Sequence, residues 1–575
     1  MNGPCYGVRW VVNNRWAITA TDGIRRQLNV VSGRDIDIVP PTVAIIGGGI
    51  AGLTVAHELA SRGVEVELFE ASGHLGGKAH SFPAAEYLGH STPFHGEHGF
   101  RFLPAFYRHL PDTMSRIPTM DSRTVADHLI ETQQTLLAHR GKPNRAVTVG
   151  RPRTLGDWMD ALDAPLADDL PLRERRHLLE RLLYILTSCE RRRQYELDAI
   201  SWPSFLDIDR RSRTFRERIE HMTQALVALR ANRASAKTMG TIYLQLLFGQ
   251  IDPTRPTERI LDGPTSPTFV DPWRSHLENL GVDIHTGSPV TDIAFDAPRG
   301  RIDHVRAETG SVEADQYVLA VPLEVARYLL PEEIRGHDPT LRGIDRLETA
   351  WMAGLQCFLE EDITLTTGHA ILADAPWKLT AISQRQFWHT TPPADDQIQG
   401  VLSVIISDWQ TPGIDIDRPA SACSLDEIEA EVLTQLTLHL DAEGFDQDRV
   451  VDVVIDPAIS PTADGDGVEN RTPLFVNTVG SYLDRPRAET RVDNLTLAGD
   501  YVRTSTDLAS MESANEAGRR AATAILGRLD VPGRPVEIWQ LDEPTVFAPW
   551  RRFDRWRFER GLPHAADTIS RMIPI

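Results

Sequence analysis

The sequence predicts an α/β protein. One doubly wound, parallel-sheet domain is assembled from three separated segments around a discontinuous, partly helical second domain. Three observations carry this prediction. Residues 42–46 read as a buried strand, a glycine cluster follows, 53–61 have apolar residues at helical spacing, and 64–69 alternate like a second strand. That order is a βαβ unit. Strand and turn patterns return at 256–330, and strand–turn–helix patterns at 470–528. Between them, 112–255 carry helical periodicity in 173–187, 213–229 and 236–248 with few strand signals, and 345–460 mix strands with one helix at 425–440.

The segments follow in order. An N-terminal extension (1–40) reads as a hairpin around Asn13-Asn14, a loose arm or an over-extended start, and Pro40-Pro41 closes it. The nucleotide-type domain is expected from 41–111, 256–334 and 470–528. The second domain is expected from 112–255 and 335–469, and a tail covers 529–575.

Composition excludes several classes of function. The 575 residues are 41% hydrophobic and 25% charged, which excludes wholesale disorder. Sixty Lys+Arg against 81 Asp+Glu give a net charge of -21, which opposes general nucleic-acid binding. Cys5, Cys189, Cys357 and Cys423 are scattered, with no metal-ligand spacing, so no metal is expected. That usage fits a reducing cytoplasm. No apolar run approaches the ~20 residues of a membrane span, and no signal peptide is legible. The expectation is a cytoplasmic protein, at most peripheral to a membrane, with no signal of oligomeric state.

Gly47-Gly48-Gly49-Ile50-Ala51-Gly52 matches G-x-G-x-x-G between a strand and a helix. Gly47 permits the tight turn, Gly49 lets the backbone approach a pyrophosphate, and Gly52 allows close helix–strand packing. The amides at Ile50 and Ala51 open the helix, whose N-terminus favours phosphate. Glu70 closes the second strand 18 residues after Gly52, where an acid accepts from ribose hydroxyls. Gly76-Gly77-Lys78 then puts amides and a cation beside a long dinucleotide, which favours FAD over NAD. Remote in the chain, an apolar strand ends in Gly499-Asp500, and a small-residue helix starts near Met511. Asp500 is suited to cofactor hydroxyls, and the helix start to the flavin pyrimidine carbonyl.

Together with 314–322, these motifs resemble the FAD-dependent amine oxidase/phytoene desaturase superfamily. The run from Ala498 to Glu512 is most similar to its carotene desaturase and hydroxysqualene dehydroxylase-like branch. The resemblance implies a two-domain FAD fold, noncovalent FAD and a hydrophobic, isoprenoid-like substrate in a channel over the flavin. It implies that Val290 contacts the adenine side through its backbone. It also places Gly96–Phe102 beside the flavin ring, although Arg101 stands here where that branch has His.

The candidates for catalysis near that ring are His95, Glu97, His98, Arg101 and Asp507. Glu97 and His98 are neighbours, so an extended chain points them to opposite faces. Many amine oxidases of the superfamily hold a water between a lysine and the flavin. Lys378 is the first candidate for that lysine, and Lys237 the weaker one. Three functions are thus expected to compete: a dehydrogenase or desaturase of a hydrophobic substrate, an amine oxidase using O2, and a non-redox FAD isomerase or scaffold. The basic, aromatic stretch 549–560 is expected to pack Trp550, Trp556 and Phe558 inward, with membrane contact as the alternative.

Overall fold

The computed structural model describes residues 40–89, 94–149, 170–251, 257–388 and 397–567. The expected N-terminal hairpin and Cys5 lie outside the described residues.

Five parallel strands form the first sheet, in the order Leu495–Leu497, Gln316–Leu319, Thr42–Ile46, Glu65–Phe69 and Asp283–His285. Three distant parts of the chain therefore pair side by side. The strand Thr42–Ile46 lies centrally and is mostly buried, as its unbroken apolar run requires. Helix Ile50–Ala60 packs on the sheet and against helix Met511–Arg528. A Cβ at Gly518 would come 2.6 Å from the Ala51 carbonyl oxygen. The Ala517–Gly518 and Ala521–Ala522 pairs exist so that two helices can touch backbone to backbone.

A seven-stranded sheet forms the second layer, in the order Val450–Ile455, Ala353–Leu359, Gly400–Ile406, Thr380–Ser383, His369–Leu372, Gln134–Ala138 and Arg145–Thr148. Its pairs are antiparallel except that between His369–Leu372 and Gln134–Ala138. The second layer thus differs from the expectation of a helical 112–255. Gln134–Ala138 and Arg145–Thr148 join this sheet, and Leu129–Glu131 pairs with Arg259–Leu261. Each strand is only three to five residues long, too short for its period to stand out from neighbouring helices. Helix Leu425–Leu440 covers one face, and a reciprocal Ser424–Glu427 capping box starts it.

Helices Leu172–Thr187, Arg213–Val227 and Ala236–Ile251 enclose a third core around Ile185, Trp202, Phe215 and Met239. The C-terminal helix Ala548–Phe558 docks on this unit through Asp554, which is 2% exposed. Asp554 accepts from the Cys189 amide at 2.8 Å and from Arg192 Nε at 2.9 Å. Trp550 and Trp556 are 56% and 46% exposed, so the expectation that they pack inward is corrected. The buried carboxylate–guanidinium pair orients this helix, and only Phe558 packs, stacked on Tyr195 and under Arg192.

Candidate functional site

The site is built at the carboxyl ends of the parallel strands, where loops from all three segments converge. Gly47 has φ +109, and a Cβ there would lie 2.4 Å from the Ala320 carbonyl oxygen. A Cβ on Gly52 would lie 1.9 Å from the Gly47 carbonyl oxygen. Both glycines are demanded by the fold itself. Gly49 is different: it has an ordinary φ of -76, and its Cβ would meet only Gly77 Cα, at 3.8 Å. The helix it caps starts at buried Ile50 and Ala51 with no side-chain acceptor for its first amides.

Gly76 and Gly77 take φ +101 and +55 and face this turn directly. The Gly76 amide donates to the Gly48 carbonyl at 2.9 Å. Glu70 reaches back under the turn: Oε2 accepts from the Gly48 amide at 2.7 Å, and Oε1 from the Ser72 amide and hydroxyl. Oε1 is filled by its two donors, whereas Oε2 keeps a second acceptor position. Beside it, the Ser288 amide donates to the Glu70 carbonyl, while Ser288 Oγ is buried without a partner. Val290, half-buried, follows two residues later.

Strand Leu495–Leu497 delivers Gly499, at φ +145, and Asp500. Burial pushes the Asp500 carboxyl above its usual range, against the pull of Lys78. Lys78 Nζ lies 3.0 Å from Glu324 Oε1 and donates to the Pro473 carbonyl, and Glu324 Oε2 is buried without a partner. Met511 begins its helix with Ser510 as cap. Sequence reasoning missed Glu512, which accepts from the Arg108, His109 and Leu110 amides and from His109 Nδ1. Helix-start amides with no side-chain cap, an open face at Gly49 and the orphaned oxygens of Ser288 and Glu324 fit a polar, phosphate-bearing cofactor.

The structure separates the catalytic candidates. Glu97 and His98 do point apart. Glu97 is 2% exposed and accepts from Ser81 Oγ at 2.7 Å, the Thr265 amide at 2.7 Å and Thr265 Oγ1 at 3.0 Å. It braces two segments. His98 places Nδ1 2.7 Å from Asp456 Oδ1 and Nε2 3.1 Å from His80 Nε2. His80 Nδ1 donates to the Gly77 carbonyl at 2.6 Å, and burial with the nearby His98 pushes its pKa down to about 3. Asp456, His98 and His80 thus form a chain that props the Gly76–Gly77 loop from behind. Both His98 nitrogens are engaged in it. Arg101 donates to the Lys78 carbonyl at 2.9 Å and to the Gly99 carbonyl. His95 lies near Asp271.

Lys378 is not brought to this group. It sits at φ +53 in the turn before Thr380–Ser383, among Asp408, Glu220 and Asp374, and burial pushes its pKa down. Lys237, the weaker candidate, is buried: Nζ lies 2.6 Å from Asp507 and 4.0 Å from the centre of the Tyr482 ring.

A family model described as flavin containing amine oxidoreductase matches residues 50–526. The chain is 26% identical over 538 residues to the carotenoid phi-ring synthase of Streptomyces griseus, covering 89% of this chain and 92% of that one. It is also 26% identical over 510 residues to the zeta-carotene desaturase of Synechocystis sp., covering 84% and 97%. Among solved structures, a putrescine oxidase bound to putrescine superposes with a TM-score of 0.57 at 16% identity, over 85% of this chain and 99% of that one. The last likeness shows the fold alone. The chain belongs to the flavin-containing amine oxidoreductase family and is an FAD-dependent oxidoreductase.

Proposed function

We propose that this protein desaturates a hydrophobic, isoprenoid-like substrate. The observation that carries the reading is the likeness to two carotenoid enzymes over most of both chains. Against the amine-oxidase reading, neither Lys378 nor Lys237 lies free beside the glycine loops. In this proposal Gly47, Gly49, Ile50, Ala51 and Gly52 hold the pyrophosphate, and Glu70 and Val290 hold the adenosine side. Gly76, Gly77 and Lys78 line the dinucleotide, and Gly499, Asp500 and Met511 serve the ribityl chain and pyrimidine edge.

FAD, when bound, supplies the two-electron acceptor. A desaturation takes a hydride from one carbon and a proton from its neighbour, leaving a double bond. The residues of this chain bind, orient and exclude water. The Asp456–His98–His80 chain makes His98 a positioning residue, because its nitrogens are spent on holding the glycine loop. The test is the visible spectrum of the FAD-loaded protein, followed anaerobically. Bleaching with a polyene precursor and none with primary amines is the expected result. Bleaching with amines alone would overturn the reading.

The C-terminal helix supports a peripheral membrane contact. It exposes Trp550, Phe553 and Trp556, and carries Arg551, Arg552, Arg555 and Arg557 on an otherwise acidic chain. The adjoining helix Leu172–Thr187 exposes Leu172, Leu179 and Leu183. Aromatic wedges with arginines suit the headgroup region of an anionic bilayer. Sedimentation with phosphatidylglycerol vesicles is expected to drop at least tenfold in the triple variant W550S/F553S/W556S, with an unchanged melting temperature. Equal sedimentation of the two proteins would refute the contact. No described helix is long and apolar enough to cross a membrane.

A further inference from the structure

A cavity of about 810 Å³ lies outside the two glycine loops. It opens between helix Ala236–Ile251, the 186–194 segment, residues 487–489, the 503–505 loop and the C-terminal 540–543 stretch. Nothing in the proposed desaturation uses it.

Its lining has an excess of unspent donors. Arg193 is 8% exposed, donates through Nε to the Ile185 carbonyl and pairs through Nη1 with Glu543, yet its buried Nη2 has no partner. Arg503 donates to the Leu483 carbonyl and lies over the Tyr482 ring, while its buried Nε has no partner. Burial and the neighbouring Arg487 push the pKa of Arg503 down, so two guanidinium groups crowd one wall. Against these two orphaned donors stands one orphaned acceptor: Gln245, 3% exposed, donates to the Asp542 carbonyl and leaves Oε1 unpartnered.

The acids of the lining are largely occupied. Glu543 serves Arg193 and Arg551, and Glu190 accepts from Gln194. Glu489 stands exposed near the surface. Leu244 and Phe248 supply an apolar wall. A desolvated guanidinium with a free N–H favours an oxyanion, because planar donors match carboxylate and phosphate oxygens. An orphaned donor in such a place is costly unless something completes it.

We infer that this cavity binds a small organic anion. The oxyanion meets Arg193, Arg487 and Arg503, and an apolar portion rests on Leu244 and Phe248. Thr504 and Ser505 also line it, so the anion sits against the loop that leads from Asp500 to Met511. The proposal is independent of the substrate assigned above.

Isothermal titration of the FAD-loaded protein tests it with two probes. Inorganic pyrophosphate represents phosphate chemistry, and hexanoate a carboxylate with a tail. At least one is expected to bind at a single saturable site, and which one identifies the oxyanion. The Arg487→Gln variant, changed at an exposed side chain, is expected to weaken that binding at least tenfold. The control Arg176→Gln, on a remote exposed helix surface, is expected to leave it unchanged. Saturation by neither probe up to 10 mM, on the order of a millimolar-affinity limit, would overturn the proposal. Equal affinity of parent and Arg487→Gln would overturn it as well.

Discussion

The same substitution at Gly49 and at Gly52 is expected to have opposite consequences. Gly49→Ala should leave the apoprotein folded and weaken FAD binding about 100-fold, or roughly 3 kcal/mol. Its Cβ fits the protein at 3.8 Å from Gly77, with backbone angles any residue adopts. In the proposed function, the space it fills is that of the pyrophosphate. Gly52→Ala should destabilise the apoprotein itself by about 3 kcal/mol or more. Its Cβ would lie 1.9 Å from the Gly47 carbonyl oxygen, a backbone atom that cannot step aside. Denaturant midpoints of the two apoproteins and fluorescence titration with FAD separate the effects. A Gly49→Ala protein that holds FAD as tightly as the parent would sink the assignment of this turn to the cofactor.

Asp507→Ala is the second large effect. Asp507 is 2% exposed and pairs at once with Arg485, Lys237 at 2.6 Å and Thr238 Oγ1 at 2.8 Å. Arg485 and Lys237 are themselves 1% and 6% exposed. Removing the carboxylate strands two cations in the interior, which costs about 3–5 kcal/mol. Arg485 also donates to the Asp500, Tyr501 and Val502 carbonyls, so the loop carrying Asp500 should loosen with it. Lys237→Met is expected to cost less, because Asp507 keeps Arg485. Urea unfolding of the three proteins checks the order. A midpoint for Asp507→Ala indistinguishable from the parent would show that the triad does not hold the loop.

The cofactor turn and its strands were legible in the sequence because their causes are local. Gly47, Gly49 and Gly52 are needed at a fixed spacing wherever a strand turns into a helix over a phosphate. The Ser424–Glu427 box likewise starts Leu425–Leu440 within four residues. The stretches 352–359 and 400–407 read as strand candidates, and Ala353–Leu359 and Gly400–Ile406 are paired strands, since strand burial imprints itself on consecutive residues.

What the sequence by itself determined, then, is the nucleotide fold, its assembly from separated segments and the residues of its glycine loops. The tertiary structure alone decided which polar groups are spent. Thr265 claims Glu97 from 168 residues away, Asp456 claims His98 from 358, and Asp507 claims Lys237 from 270. It also decided that Gln134–Ala138 would leave the helical stretch for the second sheet, and that Asp554 rather than Trp556 would face inward. A polar side chain needs one partner at hydrogen-bond distance, and nothing in its flanking residues encodes where the chain will bring that partner.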